Sequence, residues 1–180
     1  MEDLVRGLKE RRPGAFEQLV RDYGDRIYRF AKRMVGPSAA EDVAQEVFLR
    51  VHRSIGTYRP GGRFESWLFT IANNICVDLA RRRRPEVRSA PLEGPGREGR
   101  IPSAVPGPLE ILEDEERRRL LLEAVGRLPL EQKQVFLLRE EGGLSFREIA
   151  EATGCPLNTA LGRMHYAMEN LRRAMRNHGL

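Results

Sequence analysis

A segment rich in proline and glycine, residues 85–108, is the feature that most constrains how this chain can fold. It holds six of the eleven prolines in the 180-residue chain and no aromatic side chain. Because proline lacks a backbone donor and the segment has little apolar surface to bury, it is unsuited to helices or a core. We therefore predict an extended, flexible linker over 85–108 that joins two small domains, 1–84 and 109–180.

Helical periodicity dominates the first domain. Apolar residues recur at steps of three and four, as on one face of an α-helix. We expect one helix to end at Gly36-Pro37 and a capping box of Ser38 and Glu41 to begin the next. A loop over 56–62 precedes a third helix, which runs into the arginines 81–84. The first helix is expected to bury Phe16, Leu19, Val20, Tyr23, Ile27, Phe30, Ala31 and Met34.

The second domain shows the same periodicity and begins with a highly charged helix. A second capping box, formed by Ser145 and Glu148, is expected to open the third of its helices. Because no strand pattern competes anywhere, we predict an all-α fold. The four predicted helices cover about 109–127, Pro129 to Gly142-Gly143, two turns after Ser145, and about 157–177.

The last two of these helices are typical of a helix-turn-helix, whose second helix can enter the DNA major groove. Gly154 suits a left-handed turn between them, and the small Ala150 permits a close crossing. An ordinary helical hairpin is the alternative. The second helix is expected to bury Leu157, Ala160, Leu161, Met164, Ala167, Met168 and Leu171. The candidates for DNA contact are Ser145 and Arg147 beside the phosphates, and Asn158, Thr159, Gly162, Arg163, His165 and Tyr166 on the second helix.

The helix after Gly36-Pro37 carries a polar face opposite its apolar one. From spacing alone, such a run of charge indicates only a solvated surface. Its members are Glu41, Asp42, Gln45, Glu46 and Arg50.

Segment 58–84 combines aromatic, amide and arginine side chains. Aromatic rings can stack unpaired bases, amides can hydrogen-bond base edges, and arginines can neutralise phosphates. Phe64 and Trp67 also fit a core by their spacing, whereas Phe69 and Asn73-Asn74 are expected to point outward. Single-stranded nucleic acid binding and a purely structural role both remain open. The candidates are Tyr58, Arg59, Arg63, Phe64, Trp67, Asn73, Asn74, Arg81, Arg82, Arg83 and Arg84.

Composition narrows the function classes. A net charge of +5 favours a polyanionic partner, and arginine outnumbers lysine 28 to 3, although a GC-rich genome also raises arginine content. Cys76 and Cys155 lie too far apart in sequence to suggest a disulfide, and the histidines lack metal-ligand spacing. No catalytic motif is present, so we expect no enzyme activity, metal, cofactor or small-molecule substrate. Without a signal peptide or membrane-length apolar run, we expect a cytoplasmic protein.

Several motifs together resemble the extracytoplasmic-function (ECF) sigma factors of bacterial RNA polymerase. AAEDVAQEVF at 39–48 resembles their polymerase-binding signature in region 2, and FESWLFTIANN at 64–74 looks like their promoter-opening segment. Segment 128–150, with LSFREIA at its end, and GCP at 154–156 are similar to their region 4. The order and separations match, and the resemblance covers nearly the whole chain outside the linker.

The resemblance implies a transcription initiation factor that binds core RNA polymerase. Asp42, Gln45 and Glu46 match residues that dock on the clamp helices of the β′ subunit, and the β flap is the implied partner of the second domain. An anti-sigma protein is the implied inhibitor. The polymerase, not this chain, would carry the chemistry.

The resemblance also implies recognition of a two-part promoter. Loop 58–66 and Asn74 match the part that captures flipped bases of the −10 element during strand opening. The arginines 81–84 would hold backbone near the melted region, and the helix-turn-helix would read the −35 element.

One departure concerns the recognition helix. The family often has Thr-Val-Lys/Arg-Ser-Arg where this chain has TALGR at 159–163, so Leu161 and Gly162 replace a basic residue and a serine. The −35 sequence therefore cannot be carried over, and fewer base contacts are expected. A stand-alone helix-turn-helix regulator is the alternative function, and a helical interaction module that binds no DNA is a third. The regulator would explain 128–177 but leave the face around Asp42 unused.

Overall fold

The computed structural model describes residues 1–59, 63–83 and 115–177, and every regular element in these ranges is helical. The predicted all-α fold class is confirmed. The predicted linker, Arg84 and the predicted start of a helix near residue 109 lie outside the described residues, so the domain bounds of 84 and 109 stay a prediction.

The helices before the linker, here called the first domain, pack around α2. They are α1 (Glu2–Lys9), α2 (Ala15–Val35), α3 (Pro37–Ser54), a short 3-10 helix (Ile55–Thr57) and α4 (Phe64–Arg83). α2, α3 and α4 contact one another in all three pairs, and α1 lies against α2. Sequence analysis missed α1, whose Leu4, Val5 and Leu8 are buried at helical spacing.

The start of α3 differs from the prediction. α3 begins at Pro37 with Gly36 as its N-cap, and no side chain caps it. Proline is favoured at the first helical position because its φ is already helical and its missing N–H has no partner there anyway. Ser38 therefore lies inside the helix, and the predicted capping box of Ser38 and Glu41 is wrong.

The helices after the linker, here called the second domain, agree with the predicted pattern. They are α5 (Glu115–Arg127), α6 (Leu130–Glu140), α7 (Phe146–Thr153) and α8 (Leu157–Arg176). The capping box at α7 is confirmed: the Glu148 N–H donates to Ser145 Oγ at 3.3 Å, and the Ser145 N–H donates to the Glu148 carboxylate at 2.7 Å. Gly154 ends α7 with φ of 64°, the left-handed turn expected of it.

The two domains pack against each other and share one continuous apolar cluster. α2 contacts α5 and α6, while α4 contacts α6 and α7. This packing overturns one expectation from the sequence: Phe69 and Asn73, which were expected to point outward, are buried. α4 packs against α2 and α3 of its own domain and also against α6 and α7 of the second domain. Its apolar and amide residues therefore face helices in both domains.

Two apolar residues lie outside the predicted core. Val20 on α2 and Leu157 at the start of α8 were expected to be buried, but both are exposed. Val20 lies one residue beyond Leu19 on a helix whose inner face is already filled at 19, 23 and 27. Leu157 lies in the first turn of α8, ahead of the first residue that this helix buries, Ala160.

Candidate nucleic-acid and protein interfaces

The helix-turn-helix is held together by small residues and by hydrogen bonds in its turn. Ala150, Ala160 and Ala167 are buried, which allows α7 and α8 to approach closely. The Cys155 N–H donates to the Ala150 carbonyl at 3.0 Å across the turn at Gly154. The second helix of this motif, α8, is therefore held against α7 by local geometry.

The outer face of α8 is open to solvent. Asn158, His165 and Tyr166 are exposed, while Thr159, Gly162 and Arg163 are half-buried. A Cβ atom at Gly162 would meet nothing within 4 Å. Ser145 and Arg147, at the start of α7, are exposed as well. The structure thus places the predicted −35 candidates on one accessible side of the second domain.

The polar face of α3 is also accessible. Glu41, Asp42 and Gln45 are exposed, and the Arg50 guanidinium donates to the half-buried Glu46 carboxylate at 2.8 Å. Sequence analysis missed one member of this face. Leu49 is 47% exposed, and it follows Asp42 by seven residues and Gln45 by four, so it lies on the same side of the helix. A single exposed leucine is ordinary on a protein surface, so Leu49 adds apolar area to this face without marking a docking site by itself.

An aromatic cluster stands where the loop after α3 meets α4. Tyr58, Phe64 and Trp67 have ring centroids 5.1 to 5.8 Å apart. Tyr58 and Phe64 are buried, and burial raises the pKa of the Tyr58 hydroxyl, with Glu65 adding to the effect. Two of the three predicted stacking rings therefore form core, and only Trp67 is half-exposed.

Most of the charged and amide candidates around this cluster that the structure describes are exposed to solvent. Arg59, Arg63 and Asn74 are exposed, as are the arginines 81–83 near the end of α4. The Arg83 guanidinium donates to the Val35 carbonyl at 2.9 Å, which ties the end of α4 to the end of α2.

Asn73 is buried by the second domain. The Gln134 side-chain amide on α6 donates to Asn73 Oδ1 at 3.2 Å, and both residues are buried. Beside it the Phe69 ring packs edge-on against Phe30, with centroids 5.6 Å apart, and carries the Arg26 guanidinium 5.2 Å from its centroid. One side of the predicted nucleic-acid segment of α4 is thus covered.

An arginine cluster on α2 surrounds one carboxylate of the second domain. Arg26 donates two hydrogen bonds to the Glu141 carbonyl at 3.0 and 2.8 Å, and the Glu141 carboxylate pairs with Arg29 at 3.2 Å and with Arg33. Glu141 is buried. Sequence analysis missed this cluster. The spacing of Arg26, Arg29 and Arg33 on one helix face is a visible signal, but it does not reveal a partner more than 100 residues away.

The described residues also bear on disulfide formation, metal binding and membrane spanning. Cys76 and Cys155 are free, and burial raises the pKa of the Cys76 thiol to about 12, which keeps it neutral at physiological pH. Within 1–59, 63–83 and 115–177, no three His, Cys, Asp or Glu side chains are grouped to hold a metal ion. None of the helices in these ranges is both long and apolar enough to cross a membrane.

The described residues form an all-helical protein that contains a helix-turn-helix with an accessible second helix. The family model of Sigma-70 region 2 matches residues 19–86, and that of Sigma-70, region 4 matches residues 118–171. Together these matches cover more than half of the chain. The chain belongs to the ECF sigma factors of RNA polymerase, and the stand-alone regulator is not favoured.

Relatives agree with this assignment. The chain is 37% identical to the ECF sigma factor SigE of Mycolicibacterium smegmatis over 91% of its own length, and it spans 63% of that protein. It is 37% identical to the sigma factor CarQ of Myxococcus xanthus, covering 88% of this chain and 87% of CarQ. SigW of Bacillus subtilis is 29% identical, covering 96% and 95%.

Two solved structures share the fold. CnrH, solved in complex with the cytosolic domain of CnrY, superposes with a TM-score of 0.68 at 22% identity, covering 97% of this chain and 96% of CnrH. RpoE of Bartonella quintana, solved with the anti-sigma factor NepR, gives a TM-score of 0.66 at 20% identity, covering 91% and 98%.

Proposed function

We propose that this chain binds core RNA polymerase, brings it to promoters with −10 and −35 elements, and assists strand opening. The observation that carries the proposal is the presence of two separate accessible surfaces on one sigma-family chain: the polar face of α3 and the outer face of α8. A stand-alone regulator would use only the second. The chain itself performs no chemistry in this scheme, and it acts in the cytoplasm, where the polymerase is.

The α3 face is the proposed polymerase contact. Glu41, Asp42 and Gln45 are free to reach a partner, and Leu49 supplies apolar area at one end of the same face. Carboxylates around an exposed apolar residue suit a partner helix with basic and apolar side chains, such as the β′ clamp helices. The exposed Arg50–Glu46 ion pair lies at the edge of this surface. The β flap is the proposed partner of the second domain.

The −10 element is proposed to bind along α4 and the loop before it. Arg59, Arg63 and the arginines 81–83 provide exposed cations for the backbone. Asn74 and Trp67 are the accessible amide and aromatic side chains between them, placed to bind or stack unpaired bases. Tyr58 and Phe64 support this surface from the core, so their proposed role is to shape it and not to touch bases.

The −35 element is proposed to bind the outer face of α8. Asn158, Thr159 and Arg163 are the polar side chains nearest its start, where a recognition helix contacts base edges. His165 and Tyr166 extend the contact along the helix, and Ser145 and Arg147 lie where α7 would meet the phosphates. Gly162 adds no side chain, which leaves this helix with few base contacts and makes the −10 element and the polymerase more important for specificity.

An anti-sigma protein is the proposed inhibitor. Among the structural relatives, RpoE of Bartonella quintana was solved with the anti-sigma factor NepR, and CnrH with the cytosolic domain of CnrY. The exposed faces of α3 and α8 are the surfaces that a single inhibitor would need to cover.

Run-off transcription tests the proposal. Purified chain is added to core polymerase on genomic fragments that include the sequence upstream of its own gene. Specific transcripts that require the chain support the function. If no transcript forms and the chain does not co-elute with core polymerase, the proposal is wrong and selection of duplex DNA would test the regulator.

A paired substitution tests the docking face. Replacing Asp42 and Glu46 with Ala is expected to weaken core binding by about tenfold, because interface residues of this kind contribute on the order of 1–2 kcal/mol. The matched control replaces Glu17 and Asp25 with Ala, two exposed carboxylates on α2. Circular dichroism checks that both variants keep their helices. Equal affinity of the two variants for core polymerase would remove α3 from the docking assignment.

A further inference from the structure

α1, the helix that sequence analysis missed, lies against the segment that leads into the loop before α4. It contacts the 3-10 helix (Ile55–Thr57) and Tyr58, the residue that follows this helix. The Lys9 ammonium donates to the Tyr58 carbonyl at 2.7 Å, and it lies 5.7 Å from the centroid of the Tyr58 ring. One side chain of α1 thus binds both the backbone and the ring of the residue at which the loop begins.

Lys9 adds to other contacts that fix Tyr58 in place. The Tyr58 N–H donates to the Ile55 carbonyl at 3.2 Å, and the Tyr58 ring packs against Trp67 with centroids 5.1 Å apart. A hydrogen bond from a charged donor is stronger than one between neutral groups. Because the Tyr58 carbonyl belongs to the same planar peptide unit as the N–H of Arg59, the bond from Lys9 sets the direction in which the chain leaves Tyr58.

The position of α1 itself is set by contacts that do not involve Lys9. The Arg12 guanidinium donates to the Asp3 carbonyl at 2.9 Å and to the Asp3 carboxylate at 3.0 Å, which ties the chain after α1 back to its first turn. Lys9 therefore extends from a helix that is already fixed, so its bond to Tyr58 can support the loop. The inner face of α1 packs on α2 through three buried apolar side chains, Leu4, Val5 and Leu8.

The far end of the loop is held by a second polar contact. The Tyr23 hydroxyl donates to the carboxylate of Glu65, the second residue of α4, at 3.2 Å. Burial raises the pKa of the Tyr23 hydroxyl, with Glu65 adding to the effect, so the hydroxyl stays protonated and able to donate. The same carboxylate lies 3.9 Å from Nε of Arg63. Arg59 and Arg63, the exposed cations of the proposed −10 surface in this loop, thus lie next to anchored residues.

We propose that Lys9 is a positioning residue for the −10 element: it orients the peptide between Tyr58 and Arg59 and so fixes how the loop before α4 meets an unpaired base. This inference rests on the proposed function, because it needs the loop to be part of a DNA surface. Lys9 itself touches no base. A binding site discriminates well only when its parts are held within about 0.5 Å of their productive positions. α1, which precedes the part of the chain that matches region 2, thus contributes to base discrimination.

Lys9→Met tests the inference, because methionine keeps most of the length of the side chain and removes the donor and the charge. The readout is run-off transcription with core polymerase from the promoter that the chain recognises and from a copy with one base of its −10 element changed. The ratio of the two rates is expected to fall about fivefold, the lower end of what one base contact contributes. A general loss of stability would lower both rates together and leave the ratio unchanged.

Two further variants make the result specific. Arg6, on the same helix, is exposed, and its guanidinium donates to the Asp3 carboxylate at 2.8 Å. Arg6→Met therefore removes one positive charge from α1 away from Tyr58, and it is expected to leave the ratio unchanged. Lys9→Arg keeps a charge and a donor, and it is expected to restore most of the discrimination. All three variants are expected to bind core polymerase as the unaltered chain does.

A second readout needs no polymerase. Trp67 is the only tryptophan in the chain, and its ring lies against that of Tyr58. Acrylamide is expected to quench its fluorescence more strongly in Lys9→Met than in Arg6→Met, because the Tyr58 ring beside it is held less firmly. Equal quenching of these two variants would mean that Lys9 does not hold Tyr58, and it would overturn the inference.

The outcomes separate this inference from the proposed function. If Lys9→Met and Arg6→Met discriminate equally between the two −10 sequences while the unaltered chain directs transcription, the inference is wrong and the proposed function stands. A ratio that falls in Lys9→Met, recovers in Lys9→Arg and is unchanged in Arg6→Met supports the inference. If the unaltered chain gives no transcript with core polymerase, the proposed function is wrong and the positioning role of Lys9 falls with it.

Discussion

α4 and α8 are the two helices proposed to read DNA, and they differ in how the rest of the molecule covers them. Each is 20 residues long. α8 buries Ala160, Ala167 and Leu171 on one face and leaves the opposite face in solvent. α4 buries eight residues, including Asn73, because helices of both domains lie against it. The two helices proposed to read DNA are therefore covered to different extents, and contacts between the domains account for the difference.

Truncating one aromatic side chain on each helix is expected to give the largest difference in the free energy of unfolding. Phe69→Ala is expected to lower the free energy of unfolding by roughly 3–5 kcal/mol, because it removes a fully buried ring from a packed site. Tyr166→Ala, on the exposed face of α8, is expected to change it by less than about 0.5 kcal/mol. Urea denaturation followed by circular dichroism measures both. Similar losses for the two variants would mean that α4 is not covered as described.

Two neighbouring asparagines on α4 allow a buried side chain and an exposed one to be compared within one helix. Asn73→Ala leaves the buried Gln134 amide without its partner and is expected to cost about 1–3 kcal/mol of stability. Asn74→Ala, which is exposed, is expected to cost under about 0.5 kcal/mol but to impair transcription from a duplex promoter more than from a pre-melted one. Denaturation and run-off assays on both templates give the readouts. If Asn74→Ala loses equally on the two templates, Asn74 recognises bases without a separate role in melting.

Two glycines, one in each of these environments, are expected to respond to the same substitution with opposite signs. Gly162→Ala on α8 is expected to raise stability by about 0.5–1 kcal/mol, since a helical glycine is replaced where a Cβ has open space. Gly142→Ala is expected to lower stability, because its Cβ would stand 2.5 Å from the Leu138 carbonyl oxygen as well as close to Phe69. Thermal unfolding of the two variants in the same buffer measures the difference. A gain at Gly142 would show that the turn is looser than its contacts indicate.

Local signals in the sequence predicted much of this structure. The capping box at Ser145 and the turn at Gly154 follow from residues within a few positions of one another, and both are confirmed. The expected exposed side of α8 is confirmed only in part, because Thr159, Gly162 and Arg163 are half-buried. The start of α3 was predicted wrongly because two local signals compete there. Pro37 determines the first helical position, so the Ser38 pattern has no free helix end to cap.

The contact between domains could not be read from the sequence. Arg26 and Glu141 are 115 residues apart, and their pairing depends on how two separate units meet. The sequence predicted Phe69 and Asn73 to be exposed, because a single buried face of α4 already accounted for its other apolar residues. A helix with neighbours on two sides shows weak amphipathic contrast, which in a single sequence resembles a helix with scattered surface apolar residues.

Gly162 gives α8, the proposed reader of the −35 element, a position at which a new side chain would change the proposed DNA surface. Since an added Cβ there meets no atom within 4 Å, the fold accommodates a small side chain at this position. A good contact between one side chain and one base pair contributes about 1–3 kcal/mol of discrimination. If α8 reads the −35 element as proposed, one substitution at this codon adds a base contact without a compensating change in the core.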